Sequence, residues 1–170
     1  NYINAKSNTP RIPLCKRGGQ CELVHRKTVI TSGMLVPMPV ADLIGGFRAD
    51  YFIDSVDHEY CLRARRNKYP VLMTREVAMS HLIGANELGS NRFTSLIPRH
   101  NSIRKYYMTR NALLTAKEYW STEKMWGSKQ LVRIVVEIIS VILLEDDKRK
   151  KLRAMLRGLS DGIKQQSGAL

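Results

Sequence analysis

The sequence predicts an α/β chain whose last third is helical throughout. Two observations carry this. Short apolar runs bounded by turn residues, VITSGMLVP (29–37), YPVLM (69–73) and VAMSH (77–81), alternate with helix-period segments over the first hundred residues. From about Ser102 onward, only helical spacings of apolar residues remain. At 170 residues, 44% hydrophobic and 25% charged, the chain can bury one real core and is too short for two large domains.

In order, residues 1–28 are polar, carry Pro10, Pro13, Gly18 and Gly19, and read as loop with room for a short strand. VITSGMLVP reads as a buried strand passing a tight position at Gly33. Pro39 opens a short helix, VADLI, which Gly45 and Gly46 close. Ser55 is placed to cap a helix from Val56 to Asn67, with Val56, Tyr60 and Ala64 as its apolar stripe and Cys61 beside them as a reduced core residue. YPVLM and VAMSH are short strands, and residues 84–100 read as a polar loop. Helices follow over Ser102 to Trp120, over Ser128 to Leu144 with Ser128 as cap, and over DDKRKKLRAMLRGLSDGI. The segment LVRIVVEIISVILL is apolar on most faces, but it contains Arg133 and Glu137 and falls short of the roughly 20 residues of a membrane span.

The net charge is +13, from 28 basic against 15 acidic residues, spread evenly along the chain. Such a surplus suits nucleic acid, an anionic membrane surface or a phosphorylated small substrate. Dispersed basic residues and the lack of a standard nucleic-acid motif count against the first, although Arg104, Tyr107 and Arg110 share helical spacings that fit stacking and phosphate contacts. The three cysteines are too few for a disulfide scaffold, and the spacing of Cys15, Cys21 and His25 does not fit zinc. No Walker A, GxGxxG or HExxH is present. The opening NYINAKSN, without initiator Met or apolar leader, reads as a fragment, a processed product or part of something longer.

Against this acid-poor background, YFIDSVDHEYCLR (51–63) holds Asp54, Asp57 and Glu59. First-turn acids complement the helix dipole and cap free N–H groups. The functional alternative is a general base or metal ligand presented at a helix start beside Tyr51, Phe52 and Ile53. Arg63 falls one turn beyond Glu59, at ion-pair spacing. His81, at a strand end, is either a satisfied histidine or a ligand.

The ordered series from ITSGMLVPMPVADLIGGFRADYFIDSVDHEYCLRARR through VAMSHLIG to IRKYYMTRN resembles the C-terminal, acceptor-side part of family 2 glycosyltransferases, in particular the bacterial rhamnosyltransferase-like branch. The resemblance covers roughly residues 28–111. It implies a partial GT-A fold, with residues 1–100 as the C-terminal half of the catalytic domain and 101–170 as a helical region. It also implies an inverting transfer of a sugar, rhamnose by the branch resembled, from a nucleotide-diphospho donor to a glycan or lipid-linked acceptor. Asp57 matches the catalytic base and Glu59 its acceptor-side neighbour. Gly33 and Met34 match the floor under the donor sugar, and Arg104, Tyr107 and Arg110 a substrate-binding face. His81 matches a histidine near the metal, Mn2+ or Mg2+ in the full-length enzyme. The Asp-x-Asp metal motif of such enzymes is missing from this sequence, so the fragment alone is expected to be inactive.

The resemblance further implies a role in building cell-envelope polysaccharide, in the cytoplasm or peripherally at the inner face of the plasma membrane. The segment Lys148 to Arg157 permits a membrane contact on its own account, with six basic residues, no acid and interleaved apolar positions. The competing reading packs Leu152, Met155 and Leu156 on the preceding helix and leaves the cations in water. The rivals to the transferase are a non-catalytic scaffold that docks through helix 131–144, and a small basic nucleic-acid-binding module.

Overall fold

A computed structural model describes residues 23–74 and 100–170. The expected strand at 77–81, with His81, lies outside the described residues, as does nearly all of the expected loop from Gly84. The described chain runs β1 (Leu23–Arg26), α1 (Met38–Ile44), a 3-10 turn (Ala49–Tyr51), α2 (Val56–Arg66), β2 (Val71–Thr74), α3 (Ser102–Glu118), α4 (Lys124–Leu144) and α5 (Lys148–Ile163).

Helix therefore dominates, and the α/β expectation with its partial GT-A fold is overturned. Among the described residues the sheet has two strands, β1 and β2, paired antiparallel with Leu23 opposite Thr74 and Arg26 opposite Val71. A nucleotide-sugar domain of the expected kind rests on a parallel sheet, and two short antiparallel strands cannot supply one. The main cause lies in VITSGMLVP, which pairs with no strand among the described residues. It turns at Gly33 (φ 74°), where the Met34 amide donates to the Thr31 carbonyl at 2.9 Å. Its Met34 and Val36 are instead half-buried by packing on Ile44, Tyr60 and Ala64, while Leu35 stays exposed. An apolar β-branched run can be satisfied by a helix face as well as by a sheet.

α2 sits between two small cores. One is the Ile44–Tyr60–Ala64 cluster toward α1, and the other joins Leu62 to Tyr119 and Trp126, at the end of α3 and the start of α4. Arg63 closes the C-terminal end of α1 by donating to the Ile44 and Gly46 carbonyls at 2.9 and 2.7 Å. At the start of α3, the Asn101 side chain accepts from the Arg104 amide at 2.8 Å, an N-cap of the usual kind. Ser128 does not cap α4. The helix begins a turn earlier, and Ser128 donates back to the Lys124 carbonyl at 2.9 Å. The start of α4 is fixed by Glu123, which receives Lys27 at 2.7 Å and Arg65 at 2.6 and 3.0 Å.

α3 packs on both α4 and α5, most extensively on α5. Gly158 and Gly162 make that approach possible, since a Cβ at Gly158 would lie 2.6 Å from the Tyr106 carbonyl oxygen and one at Gly162 3.0 Å from Leu113. Between the helices lies a buried ion cluster. Glu145 accepts from Lys105 at 2.7 Å and from Lys151 at 2.8 Å, and Lys105 also reaches Glu137 at 2.7 Å. Burial alone would raise the Glu145 carboxyl, but the two ammonium groups outweigh it and hold the pKa below the ordinary value.

Candidate functional site

The segment that carries the three acids is shaped by unusual backbone. Phe52, Asp54 and Ser55 all have positive φ, at 63°, 62° and 63°. Such values are uncommon for residues other than glycine, and for Phe52 they are a genuine outlier. Phe52 is the centre of a tight γ-turn in which the Ile53 amide donates to the Tyr51 carbonyl at 2.8 Å. The conformation is imposed from α3. The Asn111 amide donates to the carbonyls of Tyr51, Ile53 and Asp54 at 2.8, 2.7 and 3.1 Å, and Arg110 donates to those of Asp50 and Tyr51 at 3.2 and 3.3 Å. Both side chains are fully buried. Tyr51 beneath them is buried and hydrogen-bonded to the Thr115 hydroxyl at 3.0 Å, and burial pushes its phenol up to about 12.

The loop opens into a cleft of about 520 Å³ lined by Phe52, Asp54, Asp57, His58, Arg104 and Arg133, among others. Arg104 grips Asp54 through both its Nε and Nη2, at 3.0 and 3.2 Å. Asp57 accepts the His58 amide at 2.8 Å, and its carboxylate stands 3.8 Å from His58 Nδ1. His58 Nδ1 is buried with no hydrogen-bond partner, and the ring stacks edge-on to Trp126 at 6.0 Å. Burial lowers the His58 pKa, Asp57 opposes that, and Arg133 adds to the lowering, so the imidazole is neutral near pH 7.

Of the residues singled out in the sequence, Asp57 and Arg104 meet in this cleft. Gly33 and Met34 line a separate apolar pocket of about 660 Å³, together with Val36, Tyr60, Cys61 and Met73. Glu59 is 1% exposed and has both oxygens engaged, one by the Tyr119 hydroxyl at 2.8 Å and the other by Arg63 at 3.0 Å. Tyr107 and Arg110 are interior side chains of α3. The Tyr107 hydroxyl accepts the Leu170 amide at 2.8 Å, and Arg110 donates to the Gly168 carbonyl at 2.6 Å. His81 lies outside the described residues. Sequence reasoning gave no role to Asn111, His58 or Arg133. An Asn beside an Arg among the tyrosines of a helix was a usable signal, because Asn is a poor helix former unless its amide is needed.

This geometry corrects the functional expectation. Donor and acceptor binding would need a parallel-sheet architecture, and among the described residues there is neither such a sheet nor a group of three His, Cys, Asp or Glu side chains that could hold a metal ion. Asp54 is committed to Arg104, and Asp57 has His58 as its neighbour at 3.8 Å. Inverting sugar transfer, the enzyme assignment, the nucleotide-sugar and acceptor partners, and the terms transferase, rhamnosyltransferase and polysaccharide biosynthesis all lose their structural footing.

Sequence comparison agrees with the resemblance at low identity. The chain is 26% identical over 170 residues to the dTDP-rhamnosyl transferase RfbF of Shigella flexneri. The match covers 92% of this chain and 55% of the relative, so the chain spans about half the length of the curated relative it matches. No family model and no solved structure matches it.

Two outward surfaces complete the inventory, and they differ in chemistry. α5 turns Met155, Gly158 and Gly162 inward. Outward it presents Leu156 (63% exposed) and Ile163 (65%), with half-buried Leu152 and Leu159 continuing the same stripe. Alongside runs a second stripe of exposed Arg149, Arg153, Arg157 and Lys164. Asp161 borders it and is occupied by the Tyr106 hydroxyl at 2.7 Å. The outer face of α4, by contrast, is almost wholly aliphatic, although among the described residues no helix is long and apolar enough to cross a membrane.

Proposed function

We propose that this chain is a non-catalytic helical module that attaches peripherally to an anionic membrane surface through the outer face of α5. The observation that carries the proposal is the exposure of Leu156 and Ile163 beside Arg149, Arg153 and Arg157. A soluble helix that served only its own core would turn its apolar residues inward, as α5 does with Met155. Here a second apolar stripe faces out and is bordered by cations. Side chains of the first kind enter the acyl boundary, and those of the second meet lipid phosphates. The overall charge of +13 draws the molecule toward the same surface.

Co-sedimentation with vesicles tests this. The chain should pellet with vesicles containing anionic lipid, much less with neutral ones, and the binding should weaken as salt is raised. Replacing Arg149 and Arg153 by Gln should lower partitioning roughly 30-fold, at about 1 kcal/mol per cation near the surface. Equal binding to neutral and anionic vesicles, or a double variant that binds as well as the parent, would refute the assignment.

A further inference from the structure

We propose that two copies of this chain pair through the outer face of α4. Trp126, Gly127, Gln130, Ile134 and Val141 of this helix are buried within the chain's own fold. On the opposite face Met125, Val132 and Ile139 recur every seven residues, and Val135 and Ile142 repeat the interval three residues on. That is the seam of a helix that packs on another helix, with β-branched residues at four of the five positions. Val136 and Leu143 widen it. These seven side chains are between 45% and 68% exposed, so nothing within the described fold covers them.

The chemistry of the face selects its occupant. Lys129 is the one charged residue along its length between Met125 and Leu143, apart from Arg133 and Glu137, which turn toward α3 and the cleft. A face with Lys129 as its lone cation has little to offer lipid phosphates, which separates it from the face of α5 with its row of arginines. It has the character of an interface core, where charge is depleted. Because every seam position is apolar, the face is complementary to itself, and a two-fold axis can place it against its own copy. Burial of the other helix face leaves one seam to share, which limits the assembly to a pair. The seam spans about 27 Å. Seven partly exposed apolar side chains along that length form a patch that can serve as the core of a standard-size interface, to which each partner contributes ~800 Å². The pairing is independent of the membrane contact, which uses another helix.

Sedimentation velocity across a concentration series reads the result directly. The parent chain should pass from monomer to dimer as concentration rises. Val135→Glu with Ile139→Glu should weaken pairing at least about a hundredfold, since each copy would then bury two carboxylates in an apolar seam. Both positions are exposed, so the far-UV circular dichroism of the variant should match the parent. Val135→Ser with Ile139→Ser, which adds no charge, should weaken pairing by a smaller factor and guards against an effect of charge on folding. A parent chain that stays monomeric throughout, or a Glu variant that still dimerises, would overturn the proposal. So would a Glu variant that loses vesicle binding while its dimer persists, because that would assign the face to lipid.

Discussion

Asn111 places one amide group against three carbonyl oxygens, those of Tyr51, Ile53 and Asp54. The carbonyls belong to residues in or next to left-handed backbone, a conformation the loop would leave if they were released. Asn111→Leu keeps the volume and removes the donors, and should cost about 2 kcal/mol of stability, near 1 kcal/mol for each of the Ile53 and Asp54 carbonyls left unpaired, since the Tyr51 carbonyl keeps the Ile53 amide and Arg110. Urea unfolding measures it, and a loss under about 1 kcal/mol would mean that the γ-turn holds itself. Glu59 shows the same economy in reverse, as one buried carboxylate serves both Tyr119 and Arg63. Its burial, and the proximity of Glu59, drive the Tyr119 phenol far above its ordinary value. At this scale the sequence was only partly legible. The spacing of Glu59 and Arg63 announced their ion pair, now seen at 3.0 Å. Tyr107 and Arg110 looked like an outward binding face, because helical spacing says which residues share a side and not whether that side meets solvent.

Among the elements, α3 and α5 form the closest pair, and Gly158 is the reason. A methyl group there would meet the Tyr106 carbonyl oxygen at 2.6 Å, an atom that cannot move without the backbone of α3. Gly158→Ala should therefore destabilise by about 2 kcal/mol, as overpacking does, despite the gain in helix propensity. Gly46→Ala, with no atom near its added Cβ, should change little. The comparison is a pair of thermal melts, and equal midpoints would show that the helices separate freely. The helices themselves were readable from period and caps. The apolar period located α3 and α5 closely, and Ser55 located the start of α2, although it stands at the cap in left-handed backbone and makes no side-chain cap bond. Both strands were readable, β2 largely within YPVLM and β1 in the room left for a strand before residue 28, but their pairing with each other was not. VITSGMLVP has the composition of a strand, but pairing depends on a partner that local sequence does not specify, and here Met34 and Val36 of the run pack on α1 and α2 instead.

For the molecule as a whole, charge is both an outer and an inner property. The Asp50, Glu123 and Glu145 carboxyls are all held below their ordinary pKa values by cations from distant parts of the chain or, for Asp50, chiefly by Arg48. A carboxyl depressed in the folded state stabilises it fully above the unfolded pKa and loses that contribution as pH falls through the folded value. Stability should accordingly be level near neutrality and decline below about pH 4.5, the ordinary glutamate value. Glu145→Gln should lower stability at neutral pH by about 3 kcal/mol, by leaving Lys105 and Lys151 without their shared partner, and should make the acid decline shallower. Chemical denaturation at several pH values checks both parts, and an unchanged acid limb would remove Glu145 from the account. The clamp on the loop has a consequence for how such a chain is made. The Asn111 amide lies 57 to 60 positions beyond the carbonyls it holds, and the Tyr119 hydroxyl lies 60 beyond Glu59. A ribosome adding 5–20 residues per second releases the loop several seconds before its fastener exists, by roughly that rate. During that interval the start of α2 has no reason to hold its shape, so the acids at its head take up their places only when the last third of the chain arrives.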